Sequence, residues 1–257
     1  MKVNMEQLKD EKPKHKLTML QRVLYTFAAV TFLIGISALG YPYISDYINN
    51  LHTSRMYSDY METMRNMDNS KIEEMMDEAR EFNQGLLYNS SRWLPDGIDR
   101  DRYLSILDTT GTGIIGYVEV PDIDVRLPVY HTTEESVLQI AVGHMEGSSF
   151  PIGEKGSHAV LSGHNGLISA SIFTELEKLD TGDKFYVTVL GNRLEYVVDE
   201  INVVLPDDFN YFDIDPDKDY VTLVTCTPFG VNSHRLLVRG ERVDYSLEEN
   251  RIKIRFE

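Results

Sequence analysis

Residues 23–44 carry no charged side chain, and Leu, Ile, Val, Phe and Ala dominate the run. A helix of that length, rising about 1.5 Å per residue, crosses a hydrocarbon core of roughly 30 Å. Such a stretch divides the chain between two compartments and so constrains what either side can be. Before it stand Lys2, Lys9, Lys12, Lys14, Lys16 and Arg22 against Glu6, Asp10 and Glu11. That takes 6 of the 25 basic and 3 of the 41 acidic residues, leaving 19 basic against 38 acidic downstream. Basic residues on the N-terminal flank orient the span with the N-terminus in the cytoplasm and the bulk of the chain outside. A cleaved signal peptide is the rival reading, because Ser37, Ala38 and Gly40 offer small residues near a cleavage position. The length of the apolar run, and an interfacial belt of Tyr41, Tyr43 and Tyr47, favour an uncleaved anchor. The strongly acidic downstream portion argues against nucleic acid as a partner.

Beyond the span the hydrophobic period changes twice. Over residues 47–89, Met61, Met64, Met67, Ile72, Met75, Met76, Ala79 and Phe82 recur at helical spacing, so the methionines are read as packing residues of helices, not as ligands of a metal or cofactor. Residues 89–101 are polar, contain Pro95 and Gly97, and read as a loop that also holds Trp93, the only tryptophan. After Ile106 come short β-rich runs at 114–120, 125–130, 159–162, 185–190, 194–205, 220–225 and 235–238, separated by Gly, Pro, Asp and Asn. One helix is expected near 134–141 and a further helical turn near 172–179. This pattern predicts a mainly β domain, a closed or nearly closed barrel, and about 150 residues suffice to bury its core.

Cys226 is the only cysteine in the 257 residues. In an oxidising exterior a structural cysteine would have a partner, so a lone one points to chemistry. It closes the β-type run Thr222-Leu223-Val224-Thr225-Cys226, and Arg235 opens the next one. Pro228, Gly230 and Asn232 supply the turn between them. If the two runs pair, a thiol and a guanidinium meet at one rim of a sheet. The thiolate is the nucleophilic form, and a reference pKa near 8.5 leaves little of it at neutral pH without a positive neighbour. Arginine suits a second task as well, stabilising the oxyanion that forms when a carbonyl is attacked, since it stays charged throughout. A proton donor must come from histidine. His15 lies on the cytoplasmic side and His52 close to the membrane, leaving His131, His144, His158, His164 and His234. His164, flanked by glycines in Leu161-Ser162-Gly163-His164-Asn165-Gly166 at the end of a short strand, is one candidate. His144, in Gly143-His144-Met145-Glu146-Gly147, is its competitor, whereas His234 beside Arg235 would point to the opposite face.

These residues resemble a known family. Thr225-Cys226-Thr227-Pro228, followed by Asn232-Ser233-His234-Arg235-Leu236-Leu237-Val238-Arg239-Gly240, with Leu161-Ser162-Gly163-His164 upstream, is similar to the sortases and most like class C, the pilin-polymerising sortases. The likeness covers roughly residues 103–242. It implies an eight-stranded sortase-type β-barrel with short helices, preceded by a transmembrane helix and a helical region. It also implies a cysteine transpeptidase acting on LPXTG-like (Leu-Pro-x-Thr-Gly) sorting signals of surface or pilin proteins, with no cofactor and no metal. By that likeness Cys226 attacks the carbonyl between Thr and Gly, and His164 protonates the departing amine and deprotonates the incoming one. Arg235, with the backbone N–H of Thr227, holds the substrate and its oxyanion. The acceptor amine is a pilin lysine in class C and a cell-wall peptide in housekeeping relatives. Another secreted cysteine acyl-transferase or thiol protease, and a non-enzymatic assembly factor on the same barrel, are the competing functions.

The expected organisation is a cytoplasmic tail over 1–22, an anchor over 23–44, an extracellular helical region with a candidate lid loop over 45–102, the catalytic barrel over 103–245 and a tail over 246–257. Two features depart from the class C pattern. No Asp-Pro-aromatic lid tripeptide occurs in residues 47–110, and Trp93 either takes its place or packs on the barrel. The final residues 251–257 are too short and too charged for the second membrane helix that the family often carries.

Overall fold

The computed structural model describes residues 18–94, 96–166 and 172–243. The expected tail over 246–257, most of the tail over 1–22 and His15 lie outside the described residues. The chain divides into two compact units, Met1–Ile44 and Ser45–Glu257. In the first, the start of helix α1 (Met19–Asn66) includes a segment, Met19–Tyr41, that is long and apolar enough to cross a membrane and has no buried residue. Outward-facing Phe27, Phe32, Leu33 and Leu39 are what a helix presents when its solvent is lipid.

In the second unit the end of α1 and helix α2 (Asn69–Leu86) pack on a barrel. Asp68 separates the two helices by capping α2, its carboxylate accepting from the Ser70 amide at 2.8 Å. Met61 and Met64 of α1, and Met75, Met76, Ala79 and Phe82 of α2, are buried in the main core, as their spacing predicts. Two polar anchors fix this packing. The Tyr60 hydroxyl accepts from the Leu190 amide at 2.8 Å, and the Asn83 amide bonds both backbone groups of Phe150. A short helix, α3 (Arg100–Ser105), capped by Asp99, leads into the sheet.

The strands are β1 (Ile114–Val120), β2 (Val125–His131), β3 (Val142–His144), β4 (Ser157–Ser162), β5 (Lys184–Val189), β6 (Asn192–Val204), β7 (Asp219–Thr227) and β8 (His234–Arg242). They close in the order β1-β2-β3-β4-β7-β8-β6-β5, so no edge remains unpaired. Pairing is antiparallel except for β2 with β3 and β4 with β7. Seven strands correspond to the β-rich runs of the sequence. β3 was not among them, because three residues centred on Gly143 are too short to show alternation; it forms because β2 and β4 present free ladders on both sides. The helix expected near 134–141 is α4 (Glu135–Leu138), a single turn, and the turn expected near 172–179 is a 3-10 helix over Leu176–Lys178.

Alternation sorts β7 cleanly. Val221 and Leu223 belong to the main core inside the barrel, whereas Val224 joins a second, smaller cluster with Val160, Val204, Phe212 and Leu237 on the outer face. Residues 205–218, the connection from β6 to β7, cover that outer cluster through Phe212, with Trp93 and Met145 packed against it.

Candidate active site

The outer cluster ends at Val224 of β7 and Leu237 of β8, which are register partners. The next residues on the same face of each strand are Cys226 and Arg235, also direct partners. Opposed side chains of an antiparallel pair stand on one face with Cβ atoms about 5 Å apart. The thiol and guanidinium therefore share the rim, just beyond the covered patch. Cys226 is half-buried and free. One nitrogen of Arg235, Nη1, donates to the carbonyls of Asn232 (3.3 Å) and His234 (3.1 Å), which braces the turn that holds the side chain. The rest of the guanidinium makes no hydrogen bond to a described residue.

His164 reaches the same rim from β4. Its parallel register with β7 runs to Ser162 opposite Val224, so the chain two residues on brings His164 alongside Cys226. Two bonds hold the join. The Gly163 amide donates to the Val224 carbonyl at 2.9 Å, and the Thr225 hydroxyl donates to the Gly163 carbonyl at 2.8 Å. Gly163 must be glycine here, since a Cβ would stand 2.7 Å from Ile172 and Phe173 atoms. The His164 imidazole is partly covered. Its Nε2 is buried without a hydrogen bond to a described residue, although the Glu135 carboxylate lies 3.4 Å away, close enough for an ion pair when the ring is charged.

His144, His158 and His131 have structural work. His144 is fully buried, its Nδ1 3.0 Å from the Tyr103 hydroxyl and its Nε2 2.8 Å from the Ser149 carbonyl. Burial pushes its pKa down to about 3, so it stays neutral. His158 bonds the Asp213 carbonyl and the Thr222 hydroxyl, and burial lowers it to about 4. His131 is likewise buried and lowered, spanning the carbonyls of Ile106 and Gly113. His234 is the partner of Thr227, on the face opposite Cys226.

Thr227 follows Cys226 at the end of β7. Because the carbonyls of Val224 and Cys226 face β4, the planar peptide after Cys226 turns the Thr227 amide toward β8, the strand of Arg235. Trp93 is half-buried. It stacks on Phe209 at 5.2 Å and packs on Phe212, with the Arg92 guanidinium 4.7 Å above its ring. Arg92 in turn donates to the Phe212 carbonyl at 2.7 Å. The Trp93 segment thus sits on the same outer cluster as Val224, one step along the strand from Cys226. Two neighbours of the site, Asn165 and Glu135, carry no catalytic signal in the sequence. Asn165 stands inside the motif around His164, where the glycines give the stronger signal, and Glu135 is distant in sequence and carries none.

A thiol paired with a guanidinium, and an imidazole arriving from the neighbouring strand end, form the constellation of a cysteine acyl-transfer enzyme. The sortase domain family model matches residues 118–243. Sortase C1 from Streptococcus agalactiae is 44% identical and superposes with a TM-score of 0.71, covering 74% of this chain and 98% of its own. Sortase C from Streptococcus pneumoniae, in a structure described as giving insight into catalysis and pilin substrate specificity, is 38% identical, with a TM-score of 0.64 and coverage of 74% and 97%. Sortase C from Clostridium perfringens, solved with a C-terminal cell wall sorting motif, is also 38% identical, with a TM-score of 0.64 and coverage of 74% and 99%. The chain belongs to the sortase family and is similar to its class C members, and sortases are cysteine transpeptidases.

Proposed function

We propose that this protein is a membrane-anchored class C sortase with Cys226, His164 and Arg235 as its catalytic residues. The observation that carries the reading is the direct register pairing of Cys226 with Arg235, with His164 tied to the same end of β7. The Cys226 thiolate attacks the carbonyl between Thr and Gly of an LPXTG-like sorting signal. Arg235, with the Thr227 amide, stabilises the oxyanion. The C–N bond breaks, His164 gives its proton to the departing glycine amine, and a thioester remains on Cys226. An incoming amine then loses a proton to His164 and displaces the thiolate, forming an amide.

The likeness to class C supports a pilin lysine as the acceptor, and the apolar N-terminal helix supports a catalytic unit held outside the membrane by an anchor with its N-terminus in the cytoplasm. Trp93 is the lid residue of this reading, seated on the β6–β7 connection and held there by Arg92. Incubation with a sorting-signal peptide tests the chemistry: intact-mass measurement should find an acyl adduct on Cys226, and its absence in an active preparation rejects the mechanism. Offering a lysine-bearing pilin peptide and a cell-wall peptide together then tests the acceptor. Preferential transfer to the cell-wall peptide would make the enzyme a housekeeping sortase instead.

A further inference from the structure

The ladder between β4 and β7 makes its last backbone bond from the Gly163 amide to the Val224 carbonyl. In a parallel ladder alternate residues of one strand bond in turn, so the next donor due is the backbone amide of Asn165, to the carbonyl of Cys226. The chain is already turning there, with Gly166 at φ +82°. The Asn165 side chain makes the bond in its place, Nδ2 donating to the Cys226 carbonyl at 2.8 Å. His164 is therefore flanked on both sides by residues tied to β7, at Val224 and at Cys226. The Asn165 Oδ1 is buried and has no hydrogen-bond partner among the described residues.

We infer that Asn165 is a positioning residue for the transpeptidation, using its side-chain amide to hold the His164 loop in register with the nucleophile. The bond acts on two groups at once. It sets the distance between the imidazole and thiol supports, and it fixes the peptide plane after Cys226, whose opposite end is the Thr227 amide. A planar peptide gives that N–H no independent freedom once its carbonyl is held. Three features keep Asn165 in place. The Gly166 amide donates to the Thr174 hydroxyl at 3.1 Å, the Phe229 ring fills the space where a Cβ on Gly166 would stand, and the Phe173 amide bonds the His164 carbonyl at 3.0 Å. The inference rests on the catalytic assignment of Cys226 and His164.

The test compares Asn165→Asp, which keeps the shape and loses the donor, with Asn165→Ala, each alone and combined with His164→Ala. Sorting-peptide cleavage by Asn165→Asp should fall by at least about tenfold in kcat, with KM held within about twofold. Its melting temperature should stay within about 2 °C of the parent, so that the loss is not one of folding. Groups that act as a unit are non-additive, so in the His164→Ala background the Asn165 substitutions should lower the residual rate of thioester formation by much less than they lower the parental rate, the remaining loss being the share carried by the Thr227 amide. Parental kcat in Asn165→Asp overturns the inference, and so does an equal further loss in the His164→Ala background. Full activity of the His164→Ala single variant would instead reject the catalytic assignment itself, a result distinct from failure of the Asn165 variants alone.

Discussion

His144 and His164 sit close together in the sheet, the first in β3 and the second just past the end of the adjoining β4, and they show opposite ways of holding an imidazole. His144 has both nitrogens matched, lies flat against Phe150 at 4.9 Å and is held neutral by burial. His164, at the rim where the thiol stands, has no hydrogen bond from Nε2 to a described residue. The first ring joins α3 and the turn after β3 to the barrel; the second has at Nε2 only the Glu135 carboxylate, 3.4 Å away, among the described residues. A buried ring with both nitrogens bonded is fixed in one protonation state and one orientation, whereas a ring at the rim with a nitrogen left open is able to exchange a proton with a bound molecule.

Substitutions can break this contrast. Cys226→Ala and His164→Ala should each lower transpeptidation by about 10³-fold or more while the fold is retained, and peptide-transfer assays check it. Arg235→Lys keeps the charge and loses the planar fork of donors, so kcat should fall by about 10²-fold; near-parental turnover would remove the guanidinium from the oxyanion.

His144→Ala should do the reverse, lowering stability by about 2–4 kcal/mol in denaturant titration through lost packing and hydrogen bonds, with kcat per folded molecule unchanged. A loss of kcat without a loss of stability there would erase the distinction between the two rings.

Acid sharpens it further. Folded-state pKa values near 3 for His144 and near 4 for His158 lie below the unfolded value of about 6.5, so the unfolded chain binds protons more readily. Their stabilisation, a few kcal/mol each, is full above about pH 6.5 and drains as the pH falls toward 4. Asp219, buried beside Arg242 and raised by that burial to about 7, acts in the opposite sense. Its folded carboxyl takes up a proton between pH 7 and 4 before the unfolded one does, which offsets part of the loss. Thermal melts from pH 7 to 4 should still show declining stability, and His144→Gln should flatten the slope. The smallest effect is expected at the lid: Trp93→Ala should speed alkylation of Cys226 a few-fold, and an unchanged rate would leave Trp93 as packing on the β6–β7 connection.

How much of this was legible depended on separation along the chain. The Cys226 and Arg235 pair closes over a tight turn, so the strand pattern and the Pro228, Gly230 and Asn232 turn residues already placed them together. The helical packing of Met61, Met64, Met75 and Met76 followed from period alone. Trp93 was legible as a loop residue, yet the loop's resting place on Phe209 and Phe212 depends on a connection more than a hundred residues away in sequence. Asn165 was visible as a letter in a motif and silent about its bond, because side-chain donation to a distant carbonyl leaves no periodic trace.

The apolar span, the β-rich character of the second unit, the lone thiol with its arginine across a turn, and the likeness to sortases can all be read without coordinates. Each of these is written in local composition, in short-range spacing or in a contiguous motif. It took the packing of distant segments to bury His144 with both nitrogens bonded, to seat Asn165 on the Cys226 carbonyl and to lay Trp93 over the outer cluster. Those outcomes depend on the parallel pairing of β4 with β7 and on burial, and both arise from contacts between segments that no local pattern joins.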